Sequence, residues 1–266
     1  MTTQIETSQS EKSSHVTGIP KRAYAWKPDV PDHRDRIYSS LTTKSWYLTS
    51  KVDRIGIDNP IEDQGSLGSC TGNASTSMLE IALGIAIPHS RLMAYYNGRV
   101  IDGTTRTDAG AQIRNVIKGL VKNGVCYESN WKYIKFNLTR KPNKLAVENG
   151  SLVAEQIKTM KLAYYRVDDL KGLLTALSRG RTVTFGFTVT SAIDRLPKTG
   201  ILQLPKANSP SLGGHAVLAV GYDHHKQFVW VRNSWGKDWG LNGYFKMPFA
   251  WFTDPRRLVD DMWTLE

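Results

Sequence analysis

Gln64-Gly65-Ser66-Leu67-Gly68-Ser69-Cys70 decides the reading of this 266-residue chain, because it ends on a cysteine at the mouth of a predicted helix, with a glutamine amide six residues upstream. Beyond Cys70 the apolar residues Ala74, Met78, Ile81, Ala82 and Ile85 recur at spacings of three and four, the stripe of an amphipathic helix turned toward a core. Cys70 therefore falls at or beside the N-cap. Unpaired N–H groups and the positive end of the helix dipole favour an anion there, and with a cationic neighbour they bring a thiol from about 8.5 down to about 3.5–7.5. Position alone carries little, since a single cysteine in a globular protein is most often a small buried hydrophobe.

A second motif supplies the cation. In Gly213-Gly214-His215-Ala216-Val217-Leu218-Ala219-Val220-Gly221-Tyr222, His215 opens an apolar strand. A third, Phe228-Val229-Trp230-Val231-Arg232-Asn233-Ser234-Trp235-Gly236, reads as a strand running into a glycine-rich turn through Trp239-Gly240 and Gly243-Tyr244. Asn233 follows His215 by 18 residues. Two antiparallel strands joined by the turn Asp223-His224-His225-Lys226 bring these side chains together. The Asn233 amide oxygen then holds one ring N–H of His215 and leaves the other nitrogen for sulfur.

Together the motifs resemble the papain-like (C1 family) cysteine peptidases, in which histidine and asparagine follow the nucleophile by about 130–150 residues; here His215 follows Cys70 by 145. The resemblance runs from about Val52 to the end of the chain, with glutamine, cysteine, histidine and asparagine in family order. It implies Cys70 as nucleophile, His215 as general acid/base, Asn233 as its orienter and Gln64 as an oxyanion-hole side chain. Trp235 corresponds to the tryptophan that shields the histidine–asparagine bond from water. Asp108-Ala109-Gly110 resembles the segment whose glycine pairs with substrate backbone, so Gly110, Gly214 and Trp235 are the expected substrate-binding residues. The chemistry implied is peptide hydrolysis through a thioester acyl-enzyme, as an endopeptidase. The alternatives are a cysteine exopeptidase, another thiol acyltransferase, and, more distantly, a non-catalytic basic binding module. Against a transglutaminase-like acyltransferase stands Asn233, where such enzymes normally use aspartate.

The chain also departs from the family. Members usually carry a cysteine three residues before the nucleophile, in a disulfide, and a tryptophan just after it; here Leu67 and Thr71 stand at those places. That suits a divergent, bacterial-type branch lacking the bridge. Gly214 stands where asparagine or aspartate often precedes the histidine. Loose matching puts Gly186, Gly213 and Asp260 or Asp261 near the dominant specificity pocket. A carboxylate on its floor would admit Arg beside bulky apolar groups.

Length and a 40% hydrophobic content allow a sizeable core. An α+β, papain-like two-lobed fold is expected, with a helical lobe over residues 52–165, an antiparallel β-barrel lobe over 166–266, and the site in the cleft between them. In the first lobe a second helix is predicted from Ala111 to Lys122, where Ile113, Val116, Ile117, Leu120 and Val121 form one stripe and Gly124 provides a left-handed cap. In the second, Asp168 or Asp169 caps a helix bearing Leu170, Leu173, Leu174 and Leu177 and stopped by Gly180. Strands follow at Thr182–Val189, around His215, before Asn233 and at Tyr244–Met247.

Residues 1–23, rich in Ser, Thr, Gln and Glu, are expected to be a mobile tail. Residues 24–51 form an arm in which Trp26, Pro28, Pro31, Asp32 and Arg34 make the stretch to Tyr38 aromatic and proline-punctuated. It either wraps the body permanently or lies across the cleft as a removable plug. With no signal peptide and no membrane span in view, a cytoplasmic location is the default. A peptide or protein substrate and a monomeric state are expected. The net charge of +11 resides in the body. No nucleic-acid-binding signature accompanies it, and Lys118, Lys122, Lys132, Lys135, Arg140, Lys141 and Lys144 read as a solvated face. Pairing Cys70 with Cys126 would consume the nucleophile, so two free thiols are expected. Neither metal nor cofactor is expected, since the other histidines and carboxylates lack ligand spacing.

Overall fold

The computed structural model describes residues 22–41, 48–54 and 60–266. The expected tail, but for its last two residues, lies outside the described residues. Five α-helices are present among these: α1 (Cys70–Leu83), α2 (Arg91–Asp102), α3 (Ile113–Asn123), α4 (Lys144–Thr159) and α5 (Leu170–Ser178). The strands are β1 (Trp26–Lys27), β2 (Lys51–Val52), β3 (Ala111–Gln112), β4 (Tyr164–Val167), β5 (Val183–Val189), β6 (Gly213–Asp223), β7 (Phe228–Arg232), β8 (Tyr244–Pro248) and β9 (Val259–Leu265).

α1 is buried on more than the predicted stripe, because every residue from Cys70 to Glu80 is buried. It runs through the middle of the molecule with α2 on one side and β6 on another. Gly72 makes the first contact possible, since a Cβ there would stand 2.6 Å from the Arg91 carbonyl. α3 starts two residues later than predicted. Ala111 and Gln112 pair instead as a parallel strand with Trp26 and Lys27 of the arm, a long-range partner that no local pattern announces. Gly124 has φ +67° but ψ −170°, so it is not the expected left-handed cap. A Cβ there would lie 1.8 Å from the Gly150 carbonyl of α4, and glycine is needed for close helix approach. α5 is capped by Asp169, whose Oδ1 accepts from the Gly172 N–H at 2.7 Å.

The second half carries a sheet in the order β4-β9-β5-β6-β7-β8, antiparallel throughout, with β2 added to β6. Among the described residues β4 and β8 do not pair, so the sheet is open and the expected barrel is not closed. The reason is visible along β6. Ala216, Leu218 and Val220 enter the core built with α1 to α4, whereas Val217, Ala219 and Tyr222 enter a second core with Phe185, Phe187, Phe245 and Trp251. A sheet covered on both faces gains nothing by closure, and such a strand reads as a continuous apolar run. β6 is thus the wall shared by the two halves, and His215 sits where it meets α1. No helix among the described residues is long and apolar enough to cross a membrane.

Candidate active site

Cys70 is the first residue of α1, behind an Ser69 N-cap whose side chain makes no cap bond. Its thiol receives the backbone N–H groups of Ala216, the residue after His215, and of Ala25 in the arm. Sulfur and the histidine strand therefore meet as the spacing implied. Both Cys70 and Cys126 are free and buried.

His215 Nε2 lies 2.8 Å from Asn233 Oδ1. The same Oδ1 accepts the Ser234 N–H at 2.9 Å, which fixes the amide orientation and makes Nε2 the donor. Nδ1 has no hydrogen-bond partner among the described residues. Trp235 stacks on the imidazole at 4.8 Å between centroids and 25° between planes, covering the bond to Asn233 as expected. Gln64 is fully buried. Ser234 Oγ donates to its Oε1 at 2.7 Å, which turns Nε2 toward the cleft. Sequence reading passed over Ser234, although it stands inside the Asn-Ser-Trp-Gly motif. Gln64, Cys70, His215 and Asn233 are thus brought together.

The arm occupies this site. Ala25 bridges Gly214 in parallel register, and a Cβ on Gly110 (φ +76°) would stand 1.9 Å from the Ala25 carbonyl. The Gln64 Nε2 group is directed at the Ala23 carbonyl, 3.4 Å away, and at the Leu67 carbonyl at 2.9 Å. Tyr24 lies edge-on to His215 at 6.4 Å and against Trp235 at 6.1 Å. The Arg22 guanidinium rests over the Trp235 ring at 4.7 Å and reaches Asp63 at 3.4 Å. All three expected substrate-binding residues, Gly110, Gly214 and Trp235, therefore touch the arm. Of the two geometries left open for it, residues 22–27 cross the cleft while Asp29 to Tyr38 are seated on the body.

Trp26 fills a slot between strands. A Cβ on Gly186 would lie 2.1 Å from its indole and one on Gly214 2.5 Å from it, whereas one on Gly213 meets Tyr24. Its Nε1 donates to Asp261 Oδ2 at 3.2 Å. Of the two candidate carboxylates Asp261 reaches the slot, while Asp260 turns to Arg166 at 3.2 Å and to Arg257.

Burial reverses the expected electrostatics. It pushes the Cys70 thiol above its ordinary value despite the surrounding N–H groups. Burial also brings the His215 imidazole down to about 4, with the Arg22 charge acting the same way and the Asn233 bond opposing. A helix N-terminus lowers a thiol only while solvent or a cation stabilises the thiolate. Both shifts disfavour the charged form of the partner concerned. Among the described residues no group of three or more histidine, cysteine or carboxylate side chains is placed to hold a metal ion.

A cysteine on a helix, facing a histidine–asparagine pair on a sheet with a glutamine amide beside it, is the equipment of a thiol-dependent hydrolase. The model of the papain family cysteine proteases matches residues 50–250, and the chain belongs to that family and is a cysteine peptidase. Xylellain, a cysteine protease from Xylella fastidiosa, superposes with a TM-score of 0.81 at 32% identity, over 94% of this chain and 98% of that one. An uncharacterized peptidase C1-like protein of Acanthamoeba polyphaga mimivirus is 34% identical over 278 residues, covering 94% of this chain and 88% of the viral protein. The oryzain gamma chain of Oryza sativa subsp. japonica is 29% identical over 231 residues, and the match spans 58% of its length.

Proposed function

We propose that this chain is an endopeptidase whose N-terminal arm holds it inactive. The observation that supports this is an extended segment already lying in the groove on both sides of the dyad: Arg22 and Tyr24 against Trp235, and Ala25 and Trp26 against Gly110 and Gly214. A groove that accepts chain on both sides of the nucleophile suits internal bonds. Past Trp235 it continues into a cavity of about 830 Å³ lined by Ile193, Leu196 and Trp239.

With the arm displaced, His215 Nδ1 takes the Cys70 proton and sulfur attacks the scissile carbonyl. The Cys70 backbone N–H and Gln64 Nε2 hold the oxyanion, His215 returns the proton to the leaving amine, and water activated by His215 releases the acid from the thioester. Asn233 keeps the ring in the tautomer that this exchange needs. Specificity is assigned to the slot now filled by Trp26. Its walls at Gly186 and Gly214 take a large flat side chain, and Asp261 at its end accepts a hydrogen bond, so aromatic residues and arginine are the preferred occupants.

Peptides blocked at both ends and carrying an internal quenched pair test the proposal, with and without a thiol-directed epoxide, followed by mass measurement of the labelled residue. Internal cleavage abolished by label on Cys70, and faster after removal of the arm, is expected. Release of terminal residues alone from unblocked peptides would refute the endopeptidase reading. Equal rates with and without the arm would refute the inhibitory one. A substrate library with strict aromatic preference and no cleavage for arginine at that subsite would remove the role given to Asp261.

A further inference from the structure

Gln64 and Cys70 supply the two oxyanion donors, yet they are joined by a loop of five residues containing Gly65 and Gly68, with Leu67 where relatives carry a bridging cysteine. Something else must hold the loop. Tyr133, marked by no motif in the sequence, places its hydroxyl behind it and touches both ends. The hydroxyl donates to the Gln64 carbonyl at 3.0 Å and is hydrogen-bonded to Ser69 Oγ.

The donors in this cluster can be ordered. Asn73 Nδ2 donates to Ser69 Oγ at 3.1 Å and to the Ser69 carbonyl at 2.9 Å. The Arg91 guanidinium donates to Asn73 Oδ1 at 3.3 Å, which fixes that amide. Tyr133 spends its single proton on Gln64, so Ser69 must donate to Tyr133. The bonds run one way, from Arg91 through Asn73, Ser69 and Tyr133 to Gln64, an arrangement in which each hydroxyl's bonds reinforce one another. Arg91 also lies over the Tyr133 ring at 4.0 Å. Burial pushes the Tyr133 hydroxyl up to about 12, which keeps it a donor wherever a peptidase works.

We propose that Tyr133 is a positioning residue for catalysis, pinning the Gln64 carbonyl to Ser69 so that the Gln64 side chain and the Cys70 N–H converge on one oxyanion. The proposal rests on the oxyanion role given to Gln64. Misplacement of a donor by a fraction of an ångström weakens transition-state stabilisation more than substrate binding.

Tyr133→Phe removes one oxygen and keeps the ring under Arg91. In the full chain, the residual activity of molecules whose arm is transiently displaced is expected to fall about 10- to 100-fold in kcat/KM, mostly in kcat. Affinity for a peptide aldehyde, whose oxygen enters the hole on addition of sulfur, should fall by the same factor. Affinity for the matching unreactive peptide amide, and the rate of Cys70 alkylation by iodoacetamide, should stay within twofold. Gln64→Ala and the double variant are measured in parallel. If Tyr133 acts through Gln64, adding Tyr133→Phe to Gln64→Ala costs less than threefold more. Ser69→Ala, which breaks the neighbouring link, should reproduce the loss and stands in where Tyr133→Phe does not fold. An unchanged kcat/KM in both variants, or equal losses in aldehyde binding, amide binding and alkylation, overturns the proposal. Full activity in Gln64→Ala instead overturns the oxyanion role, and the positioning role with it.

Discussion

Docking of the arm should weaken as pH rises through neutrality, and Asp29 is the reason. Its backbone N–H donates to Asp261 Oδ2 at 2.7 Å. Its carboxylate accepts the Trp263 Nε1–H at 2.7 Å and the Arg114 N–H at 3.3 Å. Both acids are buried. The cluster around them holds four carboxylates, from Asp29, Asp35, Asp260 and Asp261, against three guanidiniums. Arg114 is committed to Asp35 at 3.0 Å, Arg257 to Asp260, and Arg166 is shared among Asp260, Asp261 and Asp35. One negative charge is in excess, and burial followed by repulsion from Asp261 pushes Asp29 up to about 7; burial raises Asp261 in the same direction. Release that extends through Asp29 returns its carboxyl to water and an ordinary value of about 3.9. A group raised in the docked state favours docking while it is protonated and loses that contribution as pH climbs through the docked value. Between pH 5.5 and pH 8 the docking constant should fall about 30-fold, about 2 kcal/mol, for this one proton. Hydrogen exchange of the amides of residues 22–30 in the full chain, normalised to intrinsic rates at each pH, measures it. Asp29→Asn keeps an acceptor for Trp263 and removes the charge, so its protection should vary less than threefold over the same range. A wild-type arm whose protection ignores pH, or an Asp29→Asn arm that keeps the full slope, would refute the reasoning.

Two further substitutions separate the arm's grip from the chemistry it covers. Trp26→Ala empties the slot at a loss of about 2 kcal/mol of apolar burial, and iodoacetamide labelling of Cys70 in the full chain should accelerate about 30-fold. Gly186→Ala leaves the arm's sequence intact but sets a methyl where the nearest atoms, at 2.1–2.5 Å, all belong to the Trp26 indole. It should speed labelling while thermal unfolding of the body moves by no more than a few degrees, and unchanged labelling would show that Trp26 is not what seats the arm.

Much of the site was legible because its parts are local. The Cys70 helix start, the His215 strand and the Asn-Ser-Trp-Gly turn each carry their own pattern, and β6 and β7 pair around a short turn that the sequence marks. Asp169 as cap and the Leu170–Leu177 stripe were readable for the same reason. What escaped depends on distant partners. α2 holds Tyr95, Tyr96, Asn97 and Gly98 in its middle, and its sequence reads as polar although Arg99 is buried inside the fold. β4 and β9 come from opposite ends of the second half; β4 pairs with β9, and β9 with β5 on its other side. β3 exists because the arm lies beside it. The thiol's state was misjudged because a helix terminus is visible in one sequence window, whereas the cover that removes its water comes from 45 residues upstream.

That cover acts on the chemistry as well as on access. An ion pair between sulfur and imidazole needs a setting in which both charges are tolerated, and burial disfavours each partner's charged form on its own. Tyr24 lies edge-on to the imidazole, the Ala25 N–H meets the thiol, and Arg22 adds a positive charge beside a ring that must itself become positive. Each step that lifts Ala23–Trp26 away therefore reverses two things together, readmitting water to the dyad and withdrawing the Arg22 guanidinium from it. On the inhibitory reading proposed for the arm, exposure of the groove and formation of the reactive thiolate are then one event, because the charge of Arg22, which lowers the His215 value, leaves as water returns to the dyad.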